Sequence, residues 1–277
     1  MRRREFLKYS TATLLAGSSL AALANPTGTL KKYGCQLYSV RDLMPKDPKG
    51  VMTSLAKMGY TQFESYSSDP FWGMSPKECK KFLKDLGVKM ISSHSQMKAI
   101  DDAFAAQAAE AGLSYVICPF IGMQPGEDAW KKRADDFNEK GEICKKHGIK
   151  FGYHNHSYSF AFVSGIKGQM VLIENTDPDL VCFELDMCWS EAAGENTMAH
   201  LDKYGNRYEL CHVKQLVVKE PKPKQTDLAD GIIDYAKLMR SAKDNGIKYF
   251  LVEQEQYPTS PIASMENNAA YMKNLVF

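Results

Sequence analysis

The sequence predicts a (β/α)8 barrel. A short apolar, strand-like run followed by a segment of helical spacing recurs eight times, at a period of about thirty residues. Glycines close the helical segments at Gly59, Gly87, Gly112, Gly148, Gly205 and Gly246, where a left-handed or irregular residue ends a helix. An open doubly wound sheet is the alternative, and it usually places a Gly-rich phosphate turn after its first strand. Here Gln36-Leu37-Tyr38-Ser39 stands in that place.

The elements follow in order. Residues 33–40 read as a strand, and 46–58 as a helix stopped by Gly59. Residues 61–66 are strand-like. Ser75 and Pro76 supply an N-cap and a first-turn proline for a helix to residue 86. A strand over 88–93 runs into His94, an Ala-rich helix spans 101–111, and a strand covers 114–120. A long helix over 128–147 leads to a strand over 149–154. The second half continues with helix 166–174, strand 180–186, helix 197–204, strand 208–213, helix 234–244, strand 247–253 and a last helix over 264–275. Repeated units of this kind pair as parallel strands with helices outside. Once the N-terminal segment is set aside, about 250 residues remain, the usual length of such a barrel. No linker divides residues 33–277, so they form one domain.

That N-terminal segment is read as an address. Arg3-Arg4-Glu5-Phe6-Leu7-Lys8 resembles a twin-arginine export signal. A weakly apolar stretch follows, and Ala22-Leu23-Ala24 has the small-residue pattern of a cleavage site. The expectation is a signal peptide over 1–24, a polar linker over 25–32 and a periplasmic protein. No other apolar run approaches the roughly 20 residues that span a bilayer, so no membrane anchor is expected after signal removal. The net charge of +2 lies partly in Arg2–Arg4, which leaves no general basic bias toward nucleic acid. Lys219, Lys222 and Lys224 alternate with prolines and read as a solvated loop. The seven cysteines include no Cys-x-x-Cys pair, and several lie inside apolar runs, so neither a disulfide framework nor a thiolate zinc site is expected.

The active site of such a barrel lies at the carboxyl ends of its strands. Those ends carry Gln36, Glu64, His94, His154 or His156, Asp186, His212 and Glu253. Side chains two apart on a strand share a face, which would put His154 and His156 together. Imidazole and carboxylate ligands suit one divalent ion such as Mn²⁺, Mg²⁺, Co²⁺ or Zn²⁺. Asp186, His212 and Glu253 come from three adjacent strands, and His154 from the neighbouring one. Glu184 and Glu255, each two residues from a candidate ligand, read either as solvated or as inward-facing partners of the ligands. Trp72, Tyr158 and Trp189 lie where they would stack on a sugar face or fill core. Asn155-His156-Ser157 matches a glycosylation sequon, read as accidental at a buried strand end.

These residues resemble the sugar phosphate isomerase/epimerase group of the xylose isomerase-like (β/α)8 (TIM) barrels, across essentially the whole chain after the signal. The matching stretches are Gly34-Cys35-Gln36-Leu37-Tyr38-Ser39-Val40-Arg41, Ser92-Ser93-His94, Gly152-Tyr153-His154-Asn155-His156, Glu184-Leu185-Asp186, His212-Val213-Lys214 and Val252-Glu253-Gln254-Glu255. The likeness is nearest to a branch that often carries twin-arginine signals. It implies one metal held by residues of strands five to eight: His154, where the wider superfamily has Glu, then Asp186, His212 and Glu253. It also implies chemistry through a metal-stabilised enediolate, with Glu253 or His156 as base and Lys214 as electrostatic helper. Gln36, Glu64, His94 and Trp189 would contact the substrate, a small sugar or keto-sugar. Ser159 stands where the branch has an acidic residue, and Gln215 stands where it has Asp. These departures favour one-base isomerisation, or elimination beside a keto group, over symmetrical epimerisation. They also motivate the alternative of a catalytically silent sugar-binding protein. A homo-oligomer is compatible with all of these readings.

Overall fold

The computed structural model describes residues 28–219 and 222–277. The twin-arginine segment lies outside the described residues, as do the first three residues of the stretch read as a linker. Within the rest of that stretch, Gly28 and Phe277 exchange two backbone hydrogen bonds, and Thr29 bridges to Val276.

Among the described residues the first elements are β1 (Gly34–Gln36), α1 (Pro48–Met58), β2 (Gln62–Tyr66), α2 (Pro76–Asp85), β3 (Lys89–His94), α3 (Asp102–Ala111), β4 (Tyr115–Cys118), α4 (Glu127–Lys146) and β5 (Lys150–His154). A single helical turn, α5 (Ser157–Phe160), and a small hairpin, β6 (Phe162–Val163) and β7 (Ile166–Lys167), precede α6 (Gly168–Asn175). Then come β8 (Val181–Asp186), α7 (Met187–Ala192), α8 (Thr197–Tyr204) and β9 (Tyr208–Val213). A second hairpin, β10 (Gln215–Val218) and β11 (Lys224–Thr226), leads to α9 (Tyr235–Asp244), β12 (Tyr249–Val252) and α10 (Pro261–Asn274). The eight long-range strands close a parallel barrel in the order β1-β12-β9-β8-β5-β4-β3-β2.

Local chemistry sets the element ends. Ser75 and Glu78 form a reciprocal capping box at α2, with Pro76 in the first turn. The first strand is shorter than its apolar pattern. The Gln36 side chain accepts from the Tyr38 amide at 3.0 Å and turns residues 37–40 into a 3₁₀ helix. The stretch read as one helix over 166–174 begins as a strand: Ser164 (φ +53°) and Gly165 (φ +85°) turn the β6–β7 hairpin first.

Apolar packing has two compartments. Outward-facing Phe63, Val116, Phe151, Phe183, Cys211 and Phe250 are buried in one large cluster with helix residues such as Leu55, Leu83, Phe137 and Met239. A separate cluster of Ile91, Tyr115, Ile117, Cys182, Leu210 and Leu251 plugs the barrel lumen. Gly152 faces that plug: a Cβ there would stand 2.5 Å from Ile117 Cδ1 and 3.2 Å from Cys182 Sγ. All seven cysteines are free and buried. Among the described residues no helix is long and apolar enough to cross a membrane.

Candidate functional site

The strand pleat that builds the plug also builds the site above it. Positions two apart share a face, so Cys182, Glu184 and Asp186 climb one wall of the lumen, as do Leu210, His212 and Lys214, and Leu251 and Glu253. The lumen turns from apolar to charged within one or two such steps.

The upper layer joins His154, Asp186, His212 and Glu253, whose nearest donor atoms all lie within 4.8 Å of one another. His154 Nε2 is 3.3 Å from Asp186 Oδ2, and His212 Nδ1 is 3.1 Å from Glu253 Oε2. Lys214, fully buried, sets its ammonium 3.0 Å from Asp186, 2.6 Å from Glu253 and 2.6 Å from Glu255. Asp186 has a second task. Its Oδ1 accepts from the Trp189 amide at 2.8 Å and caps α7, which leaves Oδ2 for the cluster. Asn155 fixes the Asp186 backbone from both sides, donating to its carbonyl at 3.1 Å and accepting from its amide at 3.0 Å.

The lower layer, the floor, joins Glu64, His94 and Glu184 with the other face of His212. Glu64 Oε2 lies 2.7 Å from His212 Nε2 and 3.2 Å from His94 Nε2, and accepts from Gln36 Nε2 at 2.8 Å. Glu184 lies 2.8 Å from His94 Nε2 through Oε2 and 3.4 Å from His212 Nε2 through Oε1. His212 thus turns one ring nitrogen to each layer.

Charge in this volume is interdependent. Burial opposes ionisation of Asp186, but Lys214 and His154 outweigh it and hold the carboxyl down at about 2. Burial likewise opposes charge on Glu253 and Glu184, and it is overridden by Lys214 and His212 for the first and by His212 and His94 for the second. Both carboxyls are held below the usual range. The partners respond in kind. Burial alone would lower Lys214, His94 and His212, yet the surrounding carboxylates raise all three. His156 is the exception: burial first, then His154 and Lys214, push it down to about 3, so its ring is neutral.

A cavity of about 440 Å³ opens over the upper layer, walled by Tyr38, Tyr66, Phe120, His154, His156 and Glu253. His94, 8% exposed, links it to the floor. Tyr38, Tyr66 and Trp72 stack edge-on along one rim. Phe120, more than half exposed, stands on the other.

Several expectations change. β5 ends at His154, and His156 is the N-cap residue of α5, so the two histidines do not share a strand face; their rings meet at 5.0 Å, edge to face. Gln36 and Glu64 have no exposed surface and lie in the floor, where Glu64 meets His212 from below and Gln36 meets Glu64. Trp189 stacks on His156 and lies 5.1 Å from the Lys214 ammonium, in the site's wall. Ser159 Oγ bonds the Tyr153 hydroxyl at 2.9 Å, away from both layers. Gln215 ties the β10–β11 hairpin to the Leu228 and Ile233 carbonyls. Lys219 pairs with Glu191 at 2.9 Å. Both amide atoms of Asn155 are bonded and buried, so the sequon is closed. Asn155 is the residue that sequence reading passed over as a functional part; an Asn between two histidines at a strand end was its one signal.

The comparisons fit this architecture. The chain resembles an inosose dehydratase of Clostridium beijerinckii, 27% identical over 195 residues, covering 65% of this chain and 61% of the relative. It thus spans about three-fifths of that relative's length. Another inosose dehydratase, of Mesomycoplasma hyopneumoniae, is 24% identical over 275 residues, covering 89% of this chain and 86% of the relative. Among solved structures, a sugar phosphate isomerase/epimerase from Parabacteroides distasonis superposes with a TM-score of 0.75 at 28% identity, covering 92% of this chain and 96% of that one. The profile of one family matches residues 53–275, most of the barrel, and with it the chain belongs to the xylose isomerase-like TIM barrel family.

Proposed function

We propose that this protein is a divalent-metal-dependent enzyme that moves a proton beside the carbonyl of a keto-sugar, leading to isomerisation or to loss of water. His154, Asp186, His212 and Glu253 would hold the ion. The donor set supports the fit: two imidazoles and two carboxylates, all buried, are converged by four neighbouring strands. Such an ion supplies Lewis acidity toward a carbonyl and an adjacent hydroxyl oxygen.

One observation carries the reading: the acid–base groups at the cavity are one-sided. Glu253 is the one carboxylate that belongs to the upper layer and also lines the cavity. Its Oε2 faces both His212 and Lys214, and the carboxyl stays ionised, as a base must. The strand-five side presents the imidazoles of His154 and His156. A neutral His156 orients a hydroxyl by hydrogen bonding and does not store a proton, so the base role goes to Glu253. Lys214 holds positive charge beside the reacting oxygens and keeps Glu253 in place. Glu255, paired to Lys214, also lines the cavity and is placed for a substrate hydroxyl. This asymmetry supports one-base isomerisation or elimination over epimerisation between two carboxylates. The kinship with proteins named inosose dehydratase supports elimination. The aromatic rim suits the apolar face of a sugar ring.

Incubation of the Mn²⁺-loaded protein with inososes and 3-keto-glucosides in D₂O, followed by NMR, tests this. Deuterium should enter the carbon beside the carbonyl, and Glu253→Gln should slow that exchange by about 10²–10⁴-fold. Sugar binding with no exchange in the wild type would favour a silent binding protein and sink the enzyme. The twin-arginine motif supports export to the periplasm. A fusion to a reporter that remains cytoplasmic when Arg3 and Arg4 are both changed to Lys would support that part.

A further inference from the structure

We propose that the floor of the barrel is a second divalent-cation site, formed by Glu64, His94 and Glu184 and sharing His212 with the upper ion. It rests on the upper-ion reading above, because the shared imidazole is what joins the two.

Three observations carry it. The floor donors have the spacing of a coordination sphere. Ligands about 2.0–2.1 Å from a tetrahedral ion stand about 3.3 Å apart. Here the successive separations are 2.7 Å (His212 to Glu64), 3.2 Å (Glu64 to His94), 2.8 Å (His94 to Glu184) and 3.4 Å (Glu184 to His212). A shift of a few tenths of an ångström opens the ring around an ion.

Both floor carboxylates also carry an oxygen with no hydrogen-bond partner, Glu64 Oε1 and Glu184 Oε1, although both side chains are fully buried. A buried carboxylate oxygen without a donor is costly, and an ion is one of the few things that satisfies it. Glu184 Oε1 points at His212 Nε2, into the ring.

The fold makes a local exception beside these two residues. Of the eight pairings that close the barrel, two slip register: Ile91 of β3 is the extra residue opposite the Phe63–Glu64 step, and Glu209 of β9 the extra one opposite the Phe183–Glu184 step. Such irregularities re-aim side chains beside functional sites.

Ligation at both ring nitrogens of His212 releases its ring proton to solvent. His94 is the floor residue that lines the cavity, and the ion enters beside it. The mixed imidazole and carboxylate donors suit Zn²⁺, Co²⁺ or Mn²⁺ over Ca²⁺. The competing arrangement holds one ion in all.

The test counts ions and needs no substrate. Metal-free protein is loaded with Zn²⁺ alone, freed of excess, assayed for zinc per chain and crystallised for anomalous scattering at the zinc edge. Two ions per chain are expected, with two anomalous peaks on either side of the His212 ring. Glu184→Gln and His94→Gln should each bring the count from two to one, removing the peak on the Nε2 side. Should Glu184→Gln fail to fold, His94→Gln alone decides. One ion in the wild type, unchanged by His94→Gln, overturns the floor site and leaves the upper one standing. The upper reading fails separately if Asp186→Asn and His154→Gln leave the zinc count at the wild-type value. In Mn²⁺-loaded protein the pair should give a spin-coupled signal, and an isolated Mn²⁺ spectrum at full loading would also overturn the proposal.

Discussion

The two halves of the barrel lumen are built by the same strands and do opposite work. In the lower half Ile91, Tyr115, Ile117, Cys182, Leu210 and Leu251 form an apolar plug. In the upper half Glu184, Asp186, His212, Lys214 and Glu253 crowd charge into a space with almost no exposed surface. β8 and β9 pass from one to the other in two residues, Cys182 to Glu184 and Leu210 to His212. Burying apolar side chains contributes about 1.5–3 kcal/mol each. Buried ion pairs return far less, because desolvation offsets their attraction. The lower lumen therefore holds the barrel closed, and the upper lumen spends that stability on a preorganised charged site.

This contrast can be broken at several points. Asp186→Asn should give the largest effect: exchange of the substrate proton falls by about 10³-fold or more, on the scale of losing a preorganised electrostatic group. The amide keeps an oxygen for the Trp189 cap, so the melting temperature of the metal-free variant should stay close to wild type. A collapse of the fold would show that the upper layer is structural. Leu210→Ala in the plug should do the reverse. It should cost about 2–5 kcal/mol in urea unfolding, with each kcal/mol lowering the melting point by about 2–4 °C, and leave the bound-metal count intact.

The third test uses pH. His200 is buried against the Tyr208 hydroxyl, 2.8 Å away on the outer side of the barrel, and burial lowers it to about 4. Its unfolded value is near 6.5, so the unfolded chain binds the extra proton between pH 6.5 and 4. The His200 contribution is complete above 6.5 and is lost as pH falls through that window, at about 1.4 kcal/mol per pH unit. His200→Gln should flatten the stability curve there by that slope; an unchanged slope would refute it. The smallest effect is at the seam. Gly152→Ala forces a methyl onto Ile117 and Cys182 and should cost about 1–3 kcal/mol, with metal binding preserved.

Much of this was legible in the sequence, for physical reasons. Alternation with period two and glycine stops mark a strand and a helix end wherever one face is buried, so all eight barrel strands can be placed from residues alone. The residues at the ends of β5, β8 and β9, with Glu253 just past β12, are legible because each follows an apolar run. What was not legible depends on contacts between distant segments. Glu64 reaches His212 across 148 positions of sequence and sits at a register slip that no local pattern encodes. Lys214, one residue beyond β9, reads as a helper; only the closed barrel surrounds it with Asp186, Glu253 and Glu255. His156 misled because β5 ends two residues before it, and alternation has no force beyond a strand's end.

The cap that Asp186 places on α7 reaches into assembly and exchange. An interaction spanning three residues is local, so the β8–α7 turn alone suffices to orient this carboxylate. Glu64 is set only by closure. One oxygen of Asp186 is committed to a backbone amide, so on the proposed reading the group would meet its cation through a single atom and would not pivot between one-point and two-point contact. A substrate would then find open positions created by geometry, with no ligand that must first let go.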